Sequence, residues 1–147
     1  MMLLLIAAAV QAATPAKTVP GDTTKAPATL GPIGKQAMPA RGCAAYLWST
    51  GDRTLVAMAT ADSARLRLAV EGKPVDYARV DEAGPGGYGF AGVTTYRGGD
   101  LTVALDMTIV TREDLASGAM VPNATLRLER PGRDTIVLPV AGMIGCV

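Results

Sequence analysis

Four windows of this 147-residue chain alternate apolar and other residues with a period of two, and no other feature restricts the fold as much. Leu66, Leu68 and Val70 alternate with Arg65, Arg67 and Ala69. Leu101, Val103, Leu105, Met107 and Ile109 alternate with Thr102, Ala104, Asp106 and Thr108. Ala124, Leu126 and Leu128 interleave Thr125, Arg127 and Glu129, and Ile136, Leu138 and Val140 follow. Successive side chains of a strand point to opposite faces, so this period puts one face on a core and the other in water. Antiparallel sheets carry that pattern.

Turn signals punctuate the windows. Thr50-Gly51-Asp52 follows a first strand near 44–49, and Ala61-Asp62-Ser63 follows 54–60. Glu71-Gly72-Lys73 separates 66–70 from 74–80. Arg97-Gly98-Gly99-Asp100 and Pro131-Gly132-Arg133-Asp134 mark two further hairpins. Gly, Asn and Asp supply the positive φ of tight turns. One helical turn or two is expected where Thr111 precedes Glu113-Asp114 and Leu115, with a stop at Gly118. A loop at Met120-Val121-Pro122-Asn123 would then lead into the next strand. The fold class is all-β: a small antiparallel β-barrel or sandwich of seven or eight strands with one short helix.

The first ten residues, Met1 to Val10, form a continuous apolar run. That is too short to span a bilayer, which takes about 20 residues, and it suits the core of a secretory signal peptide. Val10-Gln11-Ala12 places small residues for a cut after Ala12, with Ala13 as a second choice, although no Lys or Arg precedes the run. An uncleaved anchor or a buried strand is the alternative. Residues 13–40 hold five of the ten prolines and show no apolar period. Such a segment buries too little to offset its ordering entropy and is expected to be a disordered linker. The expected organisation is a signal peptide at 1–12, a linker at 13–40 and a β-domain at 41–147.

Cys43 and Cys146 are the only cysteines and stand near the two ends of that domain. In an exported chain they are expected to form a disulfide; two buried thiols are the alternative. The location expected is periplasmic or secreted, in a bacterium, with no membrane span after signal cleavage.

Function classes fall away quickly. The chain has no His, which removes His-based acid–base catalysis and most transition-metal sites. Net charge is only +1, leaving no basic footprint for nucleic acid. Carboxylates are scattered, no metal-binding spacing appears, and no cofactor motif is present. No catalytic residue, metal or cofactor is expected. Residues 84–99 hold seven of the 17 glycines, interleaved with Tyr88, Phe90 and Tyr96. Loops on a rigid sheet are where sites concentrate, and Tyr and Arg are common interface anchors. Tyr88, Phe90, Tyr96 and Arg97 are therefore the candidate binding residues.

The stretch from Ala64-Arg65-Leu66-Arg67-Leu68 through Gly72-Lys73 and Ala78-Arg79-Val80 to Gly87-Tyr88 and Tyr96-Arg97-Gly98-Gly99-Asp100 resembles the membrane-bound and periplasmic inhibitors of C-type lysozyme. The resemblance implies a small exported antiparallel barrel with Cys near each end. The Ser and Lys that the family inserts into the lysozyme cleft fall here near Gly84 and on Gly98. Tyr88, Gly99 and Asp100 match, and Arg97 stands as a displaced cation. The expected function is a non-enzymatic envelope domain that binds another envelope or secreted protein or an envelope component. A lysozyme-inhibitor-like protein and a small-molecule-binding barrel are the alternatives.

Overall fold

The computed structural model describes residues 29–147, which form nine strands. They are β1 (Leu30–Gly31), β2 (Cys43–Ser49), β3 (Leu55–Thr60), β4 (Arg65–Val70), β5 (Lys73–Ala83), β6 (Val93–Gly98), β7 (Leu101–Val110), β8 (Gly118–Glu129) and β9 (Ile136–Cys146). From β2 to β9 every strand pairs antiparallel with its successor. The last strand then pairs with the first of the meander, β9 with β2 from Cys43↔Cys146 to Ser49↔Val140. Both ladders of each strand from β2 to β9 are thus used, and the sheet is a closed eight-stranded barrel rather than a sandwich. Closure removes exposed edges that would otherwise pair with other chains.

The alternation read from sequence sets the two faces. Leu47, Leu66, Leu68, Val103, Leu105 and Leu126 point inward and are fully buried. Thr102, Thr125, Arg127 and Glu129 take the outward positions between them. The β4–β5 hairpin turns on Glu71 and Gly72, both at positive φ, as a two-residue turn matched to strand twist requires.

Two ends follow from the meander. The upper end carries the β2–β3, β4–β5, β6–β7 and β8–β9 connections. The lower end carries β3–β4, β5–β6 and β7–β8, together with the Cys43–Cys146 disulfide. That bond joins directly opposed residues at the seam that closes the barrel.

Three expectations are corrected. No helix forms after Thr111; a single turn bond, Leu115 N–H to the Arg112 carbonyl, is all that appears. Only seven residues separate β7 from β8, and helix nucleation is costly in so short a piece. The Val121-Pro122-Asn123 stretch is not a loop but a bulge inside β8, where pairing with β9 jumps from Val121 to Ala124. A bulge accommodates Pro because it leaves a residue out of the ladder.

The expected linker is also ordered over its described part. Leu30 and Gly31 pair with Val70 and Ala69, and Ile33 N–H donates to the Leu55 carbonyl. Ile33 is buried with Ala44, Met58 and Ala69 in a second small core outside the barrel wall. Residues 30–38 therefore act as a strap across the outside of β4, β3 and β2. Tyr46 Oη donates to the Ala37 carbonyl at 3.0 Å, and Arg67 donates to Gln36 Oε1 at 2.7 Å. The expected signal peptide at 1–12 and the linker up to residue 28 lie outside the described residues.

Candidate functional site

The β5–β6 connection, residues 84–92, closes the lower end of the barrel. It is stitched to itself and to the wall. Gly87 and Phe90 exchange both backbone bonds, at 2.9 and 3.0 Å, and Met107 N–H donates to the Gly92 carbonyl. Tyr88 and Gly89 form the tip of this tight hairpin, and both hold positive φ, 58° and 84°. Gly89 lies against the β3–β4 turn so closely that an added Cβ would meet Ala61 Cβ at 2.8 Å. The loop thus needs Gly where it crosses Ala61, yet it carries Tyr in the neighbouring left-handed position.

The four candidate residues divide. Phe90 is 7 % exposed and plugs the lower end as part of the barrel core. Tyr96 is 1 % exposed and points into the lumen from β6. Burial pushes its hydroxyl up to about 12, opposed in part by the Thr94 hydroxyl and the Arg79 charge. Neither ring is open to a partner. Tyr88 is half-buried at the loop tip, and its hydroxyl reaches Thr111 Oγ1 at 3.4 Å. Arg97 is exposed at the far end of β6, where its Nε contacts Thr102 Oγ1 at 3.4 Å. Tyr88 and Arg97 lie at opposite ends of the barrel, so the four residues do not make one surface. Tyr88 and the Gly99-Asp100 turn, both part of the lysozyme-inhibitor resemblance, are separated in the same way.

The upper end is capped by charge. Arg130, at the end of β8, is largely enclosed and faces Glu71 at 3.2 Å and Asp100 at 3.3 Å, while Arg133 faces Glu71 at 3.9 Å. Three hairpin connections meet there. Tyr77 lies beneath them, its hydroxyl raised by burial and eased by Arg130. On the outer wall, Arg67 grips Asp76 with bonds of 2.7 and 3.0 Å and holds that carboxyl below its ordinary value.

Inward side chains occupy the lumen from both ends, and surface grooves lie outside it. One is lined by Arg97, Asp100, Thr102, Glu129 and Arg130 at the upper end. Another runs along Asp114, Leu115, Ser117, Met143 and Ile144 near the lower end. Among the described residues no three His, Cys, Asp or Glu side chains gather to hold a metal, and no helix is long and apolar enough to cross a membrane.

Sequence reasoning missed the strap and the Arg130 cap. Arg130 sits in an ordinary turn sequence, and its partners are about 30 and 60 residues away in the chain, so no local signal marks it. The fold and these surfaces define a closed antiparallel barrel, strapped on its outside and braced by one disulfide. No family model matches the chain, and no curated protein or solved structure matches it.

Proposed function

We propose that this is an exported, non-enzymatic binding domain that contacts another envelope or secreted protein through the lower end of the barrel. The observation that carries the reading is Tyr88. Its positive φ is the first position of a two-residue turn, as at Glu71, and a bulky ring is less favoured there than Gly. The same loop already uses Gly at 84, 86, 87, 89 and 92. Part of the Tyr88 ring packs on the barrel core, and the part left open supports contact with a partner. The apolar leader and the disulfide support an oxidising, exported setting. The absence of His from the sequence leaves no imidazole for acid–base catalysis.

The test is photocrosslinking in native envelopes. A photoreactive side chain at position 88 should give a discrete protein adduct, and the same group at Val137, exposed near the upper end, should not. Tyr88→Gly should abolish binding of the captured protein while stability stays within about 1 kcal/mol of the parent. Equal adducts at both positions, or none at 88, would overturn the proposal. Adding the chain to a C-type lysozyme turnover assay tests inhibition directly, and no loss of turnover is expected.

A further inference from the structure

The outward side chains of the lower wall form an unusual row. The ladders oppose Val110 to Met120, Met120 to Met143, Met143 to Tyr46, and Tyr46 to Met58. Directly opposed residues hold their Cβ atoms about 4.5–5.5 Å apart. The strap brings another methionine to the same place. Tyr46 Oη, whose proton goes to the Ala37 carbonyl, also lies 3.5 Å from Met38 Sδ. A Cβ added at Gly145 would meet Met38 Cε at 3.2 Å and Sδ at 3.6 Å. Gly145 is two residues along β9 from Met143 and shares its outward face. Met38 therefore lies over the bare backbone of Gly145, two residues along β9 from Met143, which pairs with Met120.

Core packing does not require these thioethers. Met107 points into the barrel and fills space there, as buried methionine does. Met38 and Met143 instead remain 50 % and 47 % exposed. Elsewhere the outward positions of β7 and β8 carry Thr102, Ala104, Asp106, Thr108, Thr125, Arg127 and Glu129. Methionine thus replaces the hydroxyls and charges that fill most other outward positions of these two strands.

We propose that Met38, Met120 and Met143 form a binding site for a soft monovalent metal ion, Cu(I) or Ag(I), beside Tyr46. Thioether sulfur is a soft, neutral donor that favours Cu(I) over hard, oxygen-seeking ions. No free thiol competes for the ion, because both cysteines are in the disulfide. The aromatic ring of Tyr46, next in the row, offers a further attraction for a cation. A thioether has no proton to lose, so such a site needs neither His nor thiolate and is not weakened by mild acid, unlike most metal sites. The proposal stands independently of the Tyr88 surface.

Ag(I) is the probe of choice, since it needs no reductant and leaves the disulfide intact. It should be titrated into the full chain carrying carbon-13 methionine methyl groups. The methyl signals of Met38, Met120 and Met143 should shift and saturate at one equivalent, while Met107 stays in place. Met120→Leu combined with Met143→Leu keeps the apolar volume and should weaken binding at least about tenfold without lowering the melting temperature. Affinity should be flat between about pH 5 and about pH 8. Absence of shifts at the three residues, or equal shifts at every methionine, would overturn the proposal. So would unchanged affinity in the double variant, or a steep loss of affinity on acidification.

Discussion

Tyr88 and Tyr96 sit on either side of the same loop end and meet opposite environments. Tyr88 stays half-open at a positive-φ turn position, whereas Tyr96 is sealed in the lumen. Sealing has a consequence for pH. The Tyr96 hydroxyl is pushed up to about 12, so the folded chain keeps a proton that the unfolded chain releases near pH 10. Stability is whole below about pH 10 and falls as pH rises towards about 12, by roughly 2–3 kcal/mol from this group. Burial also raises Tyr46 and Tyr77, which act in the same direction. Urea unfolding at about pH 9 and about pH 11 should show the drop, and Tyr96→Phe should make it smaller. An equal drop in the variant would remove Tyr96 as its source. The sequence placed Tyr96 among contact residues because aromatic, Gly and Arg signals crowd there. Its inward parity follows only once Arg79↔Tyr96 and Tyr96↔Val103 register is known.

At the scale of elements, the strap and the bulges decide what the outer wall presents. The β8 bulge lets both Val121 and Ala124 face the core, and Met120 lies on the outside beyond it. Strict alternation counted back from Ala124 would place Met120 inward. Without the register shift the sulfur row is invisible. The strap was equally illegible, because 13–40 shows neither strand nor helix period and Ile33 is a single apolar residue. Its partners, Ala44, Met58 and Ala69, come from three different strands. Ile33→Ala should cost about 2–5 kcal/mol, read from denaturant midpoints at constant slope. It should also loosen Tyr46 and Met38, whose contact depends on the strap. A loss under about 0.5 kcal/mol would mean that the strap merely lies on the barrel.

At the scale of the whole molecule, closure is the organising fact. β2 and β9 are 103 residues apart at their cysteines, yet their ladder completes the ring. Tying such a loop removes denatured-state entropy worth about 4–5 kcal/mol in the chain-entropy model. That is a large share of the net stability of a domain this size. Replacing both cysteines by Ser should lower unfolding free energy by about that amount, measured under conditions where the parent disulfide stays closed. A change below about 1 kcal/mol would assign the seam's stability to the β2–β9 hydrogen bonds alone.

The alternation, the turn residues and the paired cysteines determined by themselves that this chain makes an all-β domain with most of its apolar side chains on one face. Those signals are local, since strand period and turn geometry are properties of a few consecutive residues. Barrel rather than sandwich was decided by the tertiary structure, because closure is one long-range ladder between the first and last strands of the meander. The strap, the Arg130 cap and the sulfur row were decided there too. Each joins residues from separate strands and loops, and no window of sequence contains the whole of any of them.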